Sequence, residues 1–222
     1  IEREDLVVAQ VSVSDRRRIQ AHHTSTHLLQ AALKKLVDPN ISQAGSLVTG
    51  DRLRFDYNLS RAITTDEIKE IENLINTWIL DAHNSEITIM PIAEAKAKGA
   101  IAMFGEKYGA EVRVLDIGNV SMELCGGTHV ANTSEIGIFK IISESGVASG
   151  IRRIEALAGQ AVVEYLNIRD GIVKDLSDRF KIKPEEICDR ITSLQTELKN
   201  SQKQTEILQR ELALIKSDNL IT

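Results

Sequence analysis

Two short segments far apart in the chain each place two soft-metal ligands four residues from one another. They are His23-Thr24-Ser25-Thr26-His27 and Cys125-Gly126-Gly127-Thr128-His129. On a helix, positions i and i+4 share a face, so His23 and His27 can reach a common ion. The second segment works differently. A strand over 120–124 delivers Cys125, and Gly126-Gly127 lets the backbone turn tightly enough for Cys125 and His129 to face one point. Imidazole and thiolate together suit zinc, whose borderline softness accepts both. The bland alternative is a scatter of core histidines and a buried thiol. The chain holds five His and two Cys, and four of those seven fall into the two pairs. That favours one Zn2+ held by His23, His27, Cys125 and His129. Thr24 stands where a zincin protease carries its general-base Glu, so that chemistry is excluded.

The elements that must position these ligands can be read from apolar spacing. Ile19, His23, Leu28, Leu29, Ala32, Leu33 and Leu36 recur at helical intervals until Asp38-Pro39, which predicts a helix capped near Asp15. Before it, 6–13 reads as a strand closing a preceding domain. Arg16-Arg17-Arg18 in the first turn is either a solvated face or, since it opposes the helix dipole, a phosphate contact. Strands follow over 41–48 and 51–57, the second alternating Leu53, Phe55 and Tyr57 with Arg52, Arg54 and Asp56. An amphipathic helix over 65–79 places Trp78 in the core. His83 reads as a surface or capping residue. A strand over 87–92, a short helix over 93–99 and a glycine-containing loop over 99–109 come next. Two antiparallel strands, 112–117 and 120–124, turn through Gly118-Asn119 and bring Cys125 to the end of their sheet. Another strand spans 136–143, and 146–150 reads as a flexible turn. Arg152 and Arg153 after it are either surface charge or a contact to a phosphate or a terminal ribose.

A helix over 160–179 leads to Pro184-Glu185-Glu186, which starts another. There Ile187, Ile191, Leu194, Leu198, Ser201, Thr205, Leu208, Leu212 and Ile215 alternate by four and three, a heptad seam. The tail is therefore a hairpin arm or a coiled coil between chains, and both stay open. Cys188 beside the seam reads as a free thiol.

The composition sets outer bounds. At 222 residues with 42% hydrophobic and 27% charged content, the chain can bury one good core with an extension. No apolar run approaches membrane-spanning length, and two cysteines give no disulfide framework, which fits a reducing cytoplasm. A formal net charge of −5 argues against indiscriminate nucleic-acid binding while leaving room for a local basic site. The chain opens on Ile1 without Met, so a piece of a longer protein is expected.

From about Arg16 to Gly159 the sequence closely resembles the editing domain of alanyl-tRNA synthetases. The resemblance rests on the two ligand segments together with Gln43-Ala44-Gly45-Ser46-Leu47-Val48, Leu53-Arg54-Phe55-Asp56, Phe104-Gly105-Glu106-Lys107-Tyr108 and Gly150-Ile151-Arg152-Arg153-Ile154-Glu155-Ala156, in that family's order. The threonyl branch shares the ligand pairs, whereas Gly126-Gly127-Thr128 and Gln43-Ala44-Gly45-Ser46 look like the alanyl branch.

The resemblance implies an α+β fold of the threonyl/alanyl second additional domain type. In it an antiparallel sheet packs with helices around a zinc site, and a long helical or coiled-coil arm follows. The implied division is the end of a preceding domain over 1–14, an editing domain over 15–160 and a helical linker with its heptad arm over 161–222.

It also implies an ester hydrolase acting on the acceptor end of tRNA(Ala) mischarged with serine or glycine. An alanine pocket cannot strongly reject either amino acid, so a second site is needed that refuses alanine. Thr26, Gln43, Ser46 and Cys125 are the implied catalytic-site residues, with Arg152, Arg153 and Lys107 contacting tRNA; a homodimer, through the C-terminal helices or through a missing C-terminal domain, is an open expectation. Read as ordinary structure, Thr26 would bond back to the i−4 carbonyl and Gln43 would be a surface residue. Zinc either activates water or holds the helix against the Gly-Gly turn and orients the terminal adenosine, and positioning is slightly favoured. A free-standing deacylase and a zinc-stabilised interaction module are the competing readings.

Overall fold

The computed structural model describes residues 9–102 and 108–218. Contacts divide the chain into two units, one reaching Glu164 and one beginning at Tyr165.

The first unit starts with helix α1, Val13–Leu36. Residues 9–12 have no regular structure, so the part of the expected strand within the described residues is not one. Ser12, not Asp15, caps α1, accepting the Asp15 backbone N–H at 3.3 Å. Ser followed three residues later by an acid is itself a cap signature, which the strand reading hid. Strands β1 (Gln43–Val48) and β2 (Leu53–Asn58), helix α2 (Thr65–Leu80), strand β3 (Ser85–Pro91) and short helix α3 (Ile92–Ala97) follow. Strands β4 (Glu111–Ile117) and β5 (Ser121–Leu124) form the expected antiparallel pair. A 3-10 turn, Thr133–Ile136, then occupies the start of the strand expected at 136. Its Asn132–Glu135 capping box and Gly137 at φ 80° delay strand β6 to Phe139–Ala148. The expected turn over 146–150 is thus mostly strand, and the reversal falls at Ser149-Gly150 before β7 (Ile151–Ala158).

All paired strands are antiparallel, in two sheets ordered β1-β2-β7-β6 and β3-β4-β5. This is the α+β architecture that the family resemblance implied. The inner face of the larger sheet presents Phe55, Tyr57, Phe139, Ile141, Ile154 and Ala156. They share one core with Leu28, Leu29 and Leu33 of α1 and Ile71, Ile75 and Trp78 of α2. Alternation leaves Arg52, Arg54, Asp56, Arg153 and Glu155 on the outer face. Strand β4 is buried on both sides. Val112 and Val114 pack with Ala95 of α3, while Leu115 and Ile117 join the main core.

In the second unit, helix α4 (Gln160–Phe180), which begins in the first, gives way to a 3-10 turn at Pro184–Glu186 and helix α5, Ile187–Asp218. Ile191, Leu198, Leu208, Leu212 and Ile215 of the heptad seam are exposed, as is Cys188.

The start of α2 carries a measurable electrostatic device. Thr64 accepts the Glu67 N–H, and the Glu67 carboxylate accepts the Thr64 N–H at 2.8 Å and two Arg61 N–H groups at 2.7 and 2.6 Å. The Arg61 guanidinium first, then the Thr64 amide, hold the Glu67 carboxyl down at about 2. Because the folded value is depressed, the stabilisation is complete above the ordinary value of 4.5 and is lost as pH falls from there toward 2. Glu67→Ala is expected to cost about 1 kcal/mol at pH 7, with the gap narrowing at pH 3.5, as read from urea midpoints at both pH values.

Candidate metal centre

Helix α1 passes the C-terminal end of β5 with an unusually polar buried face: His22, Thr24, Ser25, Thr26, His27 and Gln30 are all buried. One turn of helix separates His23 from His27, and both rings look toward the loop that leaves β5. Their ligand atoms, with those of Cys125 and His129, lie within 4.8 Å of one another, a group that could hold a metal ion. Cys125 Sγ is 3.5 Å from His23 Nε2 and 3.2 Å from His129 Nε2. His27 Nε2 is buried with no hydrogen-bond partner among the described residues. The two segments singled out by spacing therefore meet.

The close approach explains the glycine after Gly126. A Cβ on Gly127 would sit 2.0 Å from His23 Cε1, so no side chain fits there while the ring keeps its place. Gly126, by contrast, faces open space.

A second layer of side chains holds the four donors. Glu123 Oε2 lies 2.9 Å from His27 Nδ1 with both groups buried, and Ser121 Oγ donates to Glu123 Oε1 at 2.6 Å. Thr24 Oγ1 accepts the Val130 N–H at 3.2 Å and lies 3.3 Å from His129 Nδ1. Each contact occupies the nitrogen facing away from the group, which leaves Nε2 of His27 and His129 for a ligand role. Arg113 of β4 clamps the Gly-Gly loop by donating through Nη1 to the carbonyls of Cys125 (2.8 Å) and Gly127 (2.6 Å). Gln20 Nε2 donates to the His129 carbonyl at 2.8 Å. His22, adjacent to the ligands, does other work. Its Nδ1 donates to the Arg18 carbonyl and its Nε2 accepts the Ala158 N–H, pinning α1 to β7, and burial keeps it neutral by lowering its pKa.

The electrostatics suit a cation. Burial opposes charge on His27, but the Glu123 carboxylate and the Cys125 sulfur outweigh it and push the imidazolium up to about 10. Burial likewise opposes ionisation of Cys125, yet His129, His23 and His27 around the sulfur bring the thiol down to about 3. Burial lowers His129. A thiolate beside imidazoles is the form in which soft metals are bound.

The other residues singled out in the sequence are placed as follows. Thr26 is buried and donates its hydroxyl proton to the His22 carbonyl at 3.0 Å. Gln43 and Ser46 lie on edge strand β1, with Gln43 Nε2 donating to Ser46 Oγ at 3.3 Å. Arg152 pairs with Glu144 through two hydrogen bonds, one of 2.7 Å, and Glu144 also accepts the Tyr57 hydroxyl. Arg153 makes a two-pronged pair with Asp56 at 2.7 and 2.8 Å. Lys107 lies outside the described residues. Sequence reasoning missed Thr24, Arg113 and Glu123. Glu123 was within reach, since alternation along β5 puts it on the face of Cys125. Arg113 depended on a strand pairing that spacing alone does not give.

Gly127→Ala is expected to weaken metal binding about ten- to a hundredfold while leaving the fold intact, because the methyl displaces the His23 ring. Titration with Co2+, followed by its visible absorption bands, measures the affinity, and far-UV circular dichroism checks the fold.

The family described as "Threonyl and Alanyl tRNA synthetase second additional domain" matches residues 112–155, which run from β4 through the Cys125–His129 loop into β7. The chain is 66% identical over 217 residues to an alanine–tRNA ligase of Nostoc punctiforme, covering 98% of this chain and 25% of that protein. It is 67% identical over 218 residues to the ligase of Synechococcus elongatus, with the same coverage. To that of Acaryochloris marina it is 68% identical over 198 residues, or 89% of this chain and 23% of the relative. The chain spans about a quarter of the length of these curated relatives. With the metal-ligand segments in place and similarity running through nearly its whole length, it belongs to the alanyl-tRNA synthetase family, as a segment that carries the second additional domain.

Proposed function

We propose that this segment is the hydrolytic editing part of an alanyl-tRNA synthetase, cleaving the ester of tRNA(Ala) wrongly charged with serine or glycine. The observation that carries the reading is the convergence of His23, His27, Cys125 and His129 in a chain of this family. The need is physical, because a pocket built for alanine discriminates weakly against one methyl fewer or one hydroxyl more. The division into a preceding domain over 1–14, an editing domain over 15–160 and a helical linker over 161–222 belongs to the same proposal, as does a cytoplasmic setting. Among the described residues, no helix is long and apolar enough to cross a membrane.

The ion is proposed to be zinc. Zinc–sulfur and zinc–nitrogen bonds of about 2.3 and 2.0 Å give tetrahedral S···N edges of about 3.5 Å, close to the 3.5 and 3.2 Å separations around Cys125. The orphaned, buried Nε2 of His27 supplies the fourth donor. When bound, zinc can polarise an ester oxygen or water, or serve as a fixed charge that orients the terminal nucleotide. Four protein donors favour the orienting role.

The chain's own side chains do the rest of the proposed work. Glu123 and Thr24 fix the ring orientations of His27 and His129. Thr26, Gln43 and Ser46 are proposed to read the aminoacyl group, and Arg152, Arg153 and Lys107 to contact the tRNA. Thr26, having given its proton to the His22 carbonyl, offers an acceptor only. The exposed seam of α5 is proposed to pair with a second copy.

Two measurements test the reading. Deacylation of Ser-tRNA(Ala) should be fast against Ala-tRNA(Ala), and Cys125→Ala should lose both the metal and the seryl activity. A folded, zinc-loaded chain that leaves Ser-tRNA(Ala) intact at high concentration would instead point to an interaction module. For the arm, sedimentation should show a concentration-dependent dimer that Leu198→Asp with Leu212→Asp abolishes.

A further inference from the structure

Arg113 of β4 differs from the other well-placed guanidiniums of this chain. Arg18, Arg61, Arg152 and Arg153 each face a carboxylate. Arg113 is half-buried, and among the described residues no carboxylate forms an ion pair with it. Its bonds to the carbonyls of Cys125 and Gly127 both leave from Nη1. Carbonyls need N–H donors but no full charge, so the clamp alone leaves the cation unexplained. Arg113 lines a cavity of about 240 Å3 together with Tyr108, Glu111, Leu124, Cys125 and Gly126. Cys125 is one of the four metal donors, so the cavity adjoins the metal centre. Ordinary ligand pockets run to about 300–1,000 Å3, so this one suits a single unit of a larger molecule. Gly126 keeps it open. Its φ is not positive, and a Cβ there would meet nothing within 4 Å, so neither backbone nor packing calls for glycine. A side chain at that position would instead fill the space beside Cys125. Glu111 is exposed, where water and salt screen its charge.

We infer that this cavity holds the terminal nucleotide of the tRNA acceptor end, with Arg113 binding its 5′-phosphate and Tyr108 flanking the nucleoside. The inference rests on the editing reading above and adds to it the site that anchors the substrate beside the metal. Covalent connectivity sets the order of the groups. The aminoacyl ester sits on the ribose of the terminal nucleotide, and the nearest phosphate is carried by the 5′ oxygen of that same ribose. A residue that holds this phosphate must therefore lie one sugar away from the reacting ester. Arg113 meets the demand, because its Nη1 is 2.8 Å from the carbonyl of Cys125, whose sulfur belongs to the metal group. The clamp uses Nη1 and leaves the Nε–Nη2 edge, a planar fork that matches two phosphate oxygens. An aromatic ring beside an arginine is also how single-stranded ends are bound without reading their sequence. Seryl and glycyl esters share this nucleotide, so Arg113 serves both substrates alike and takes no part in choosing between them.

The test changes the phosphate and the protein together. An acceptor-stem minihelix of tRNA(Ala) carries serine through a non-hydrolysable 3′-amide, and the linkage to its terminal adenosine is either the natural phosphodiester or a neutral methylphosphonate. Dissociation constants for both forms are measured by fluorescence anisotropy with the parent chain, Arg113→Gln, Arg113→Lys and Gly126→Leu, and metal content and thermal midpoint are recorded for each. In the parent, the neutral linkage should bind about ten- to a hundredfold more weakly. In Arg113→Gln the two linkages should bind within about twofold of each other, and Arg113→Lys, a point charge in place of a fork, should keep part of the preference. Deacylation of Ser-tRNA(Ala) by Arg113→Gln should show a raised KM with kcat within about threefold of the parent, whereas a purely structural role would lower metal content and kcat together. Gly126→Leu should keep the metal and the thermal midpoint and bind both forms at least tenfold more weakly. A parent indifferent to the linkage, or an Arg113→Gln chain that keeps the full preference, would overturn the inference while leaving the editing activity standing. Tight binding by Gly126→Leu would do the same by placing the nucleotide outside the cavity, and it decides the matter even if Arg113→Gln sheds its metal. A parent chain that hydrolyses no seryl ester and binds neither form would overturn the editing reading itself, and Arg113's role with it.

Discussion

The contact between helix α1 and the loop after β5 constrains the rest of this structure. Four donors converge only if the His23 ring lies against the backbone of Gly127, and that approach leaves no room for a Cβ. It also forces a carboxylate and an imidazole, Glu123 and His27, out of water together. An isolated buried charge of either kind would be prohibitive, but as a hydrogen-bonded pair each satisfies the other. Ser121 takes the second oxygen of Glu123, and Thr24 receives the Val130 amide. Most polar groups that the centre brings inside thus have named partners. Among the described residues of α1, Ser25 Oγ and His27 Nε2 are buried without one, and His27 Nε2 belongs to the group that could hold a metal ion.

That constraint explains why α1 departs from ordinary helix patterning. A helix that packs on a sheet normally buries aliphatic side chains and exposes polar ones. Here the C-terminal half obeys the rule, with Leu28, Leu29, Ala32 and Leu33 in the core, while the preceding two turns bury His22, Thr24, Ser25, Thr26 and His27. The apolar half anchors the helix on β2 and β7, and the polar half is held by specific hydrogen bonds. His22 to Ala158 is the longest-range of these, tying the start of the site to the last strand of the large sheet. Departures from local rules concentrated at one place are a mark of a functional site.

The ligand set was legible in the sequence because both pairs obey a local geometry, helical in one case and a strand ending in a Gly-Gly turn in the other. The antiparallel pair through Gly118-Asn119 was legible for the same reason, because period-2 patterns are local, whereas the α+β class came from the resemblance. What escaped was non-local or hidden by a competing local pattern. The start of β6 is displaced by a capping box at Asn132 and Glu135 that the apolar run from Ile136 concealed. The Ser12 cap was masked by the alternation before it. Thr24 could not be told from Thr26 by composition. Only the helical phase, combined with knowing where the Val130 backbone passes, separates the one that bonds His129 from the one that bonds back to His22.

Arg152 and Arg153 show the same limit with a functional consequence. Adjacent residues on a strand point to opposite faces. Arg152 shares the inner face with buried Tyr57 and is fastened to Glu144, whereas Arg153 lies on the outer face with Asp56. One phosphate approaching a single face of the sheet meets only one of the two guanidiniums. Each is also already paired with a carboxylate, so a phosphate must share or displace that partner to gain a bidentate contact. Of the two, Arg153 has the easier task. Its outer-face neighbours include a second arginine, Arg54, 3.8 Å from the same Asp56 carboxylate, so two positive groups share one negative one there. The Arg152 pair sits instead where Tyr57 adds a third hydrogen-bonding partner to Glu144. The inner arginine therefore works first as a tie between β7, β6 and β2, and the outer face has positive charge to spare for a polyanion.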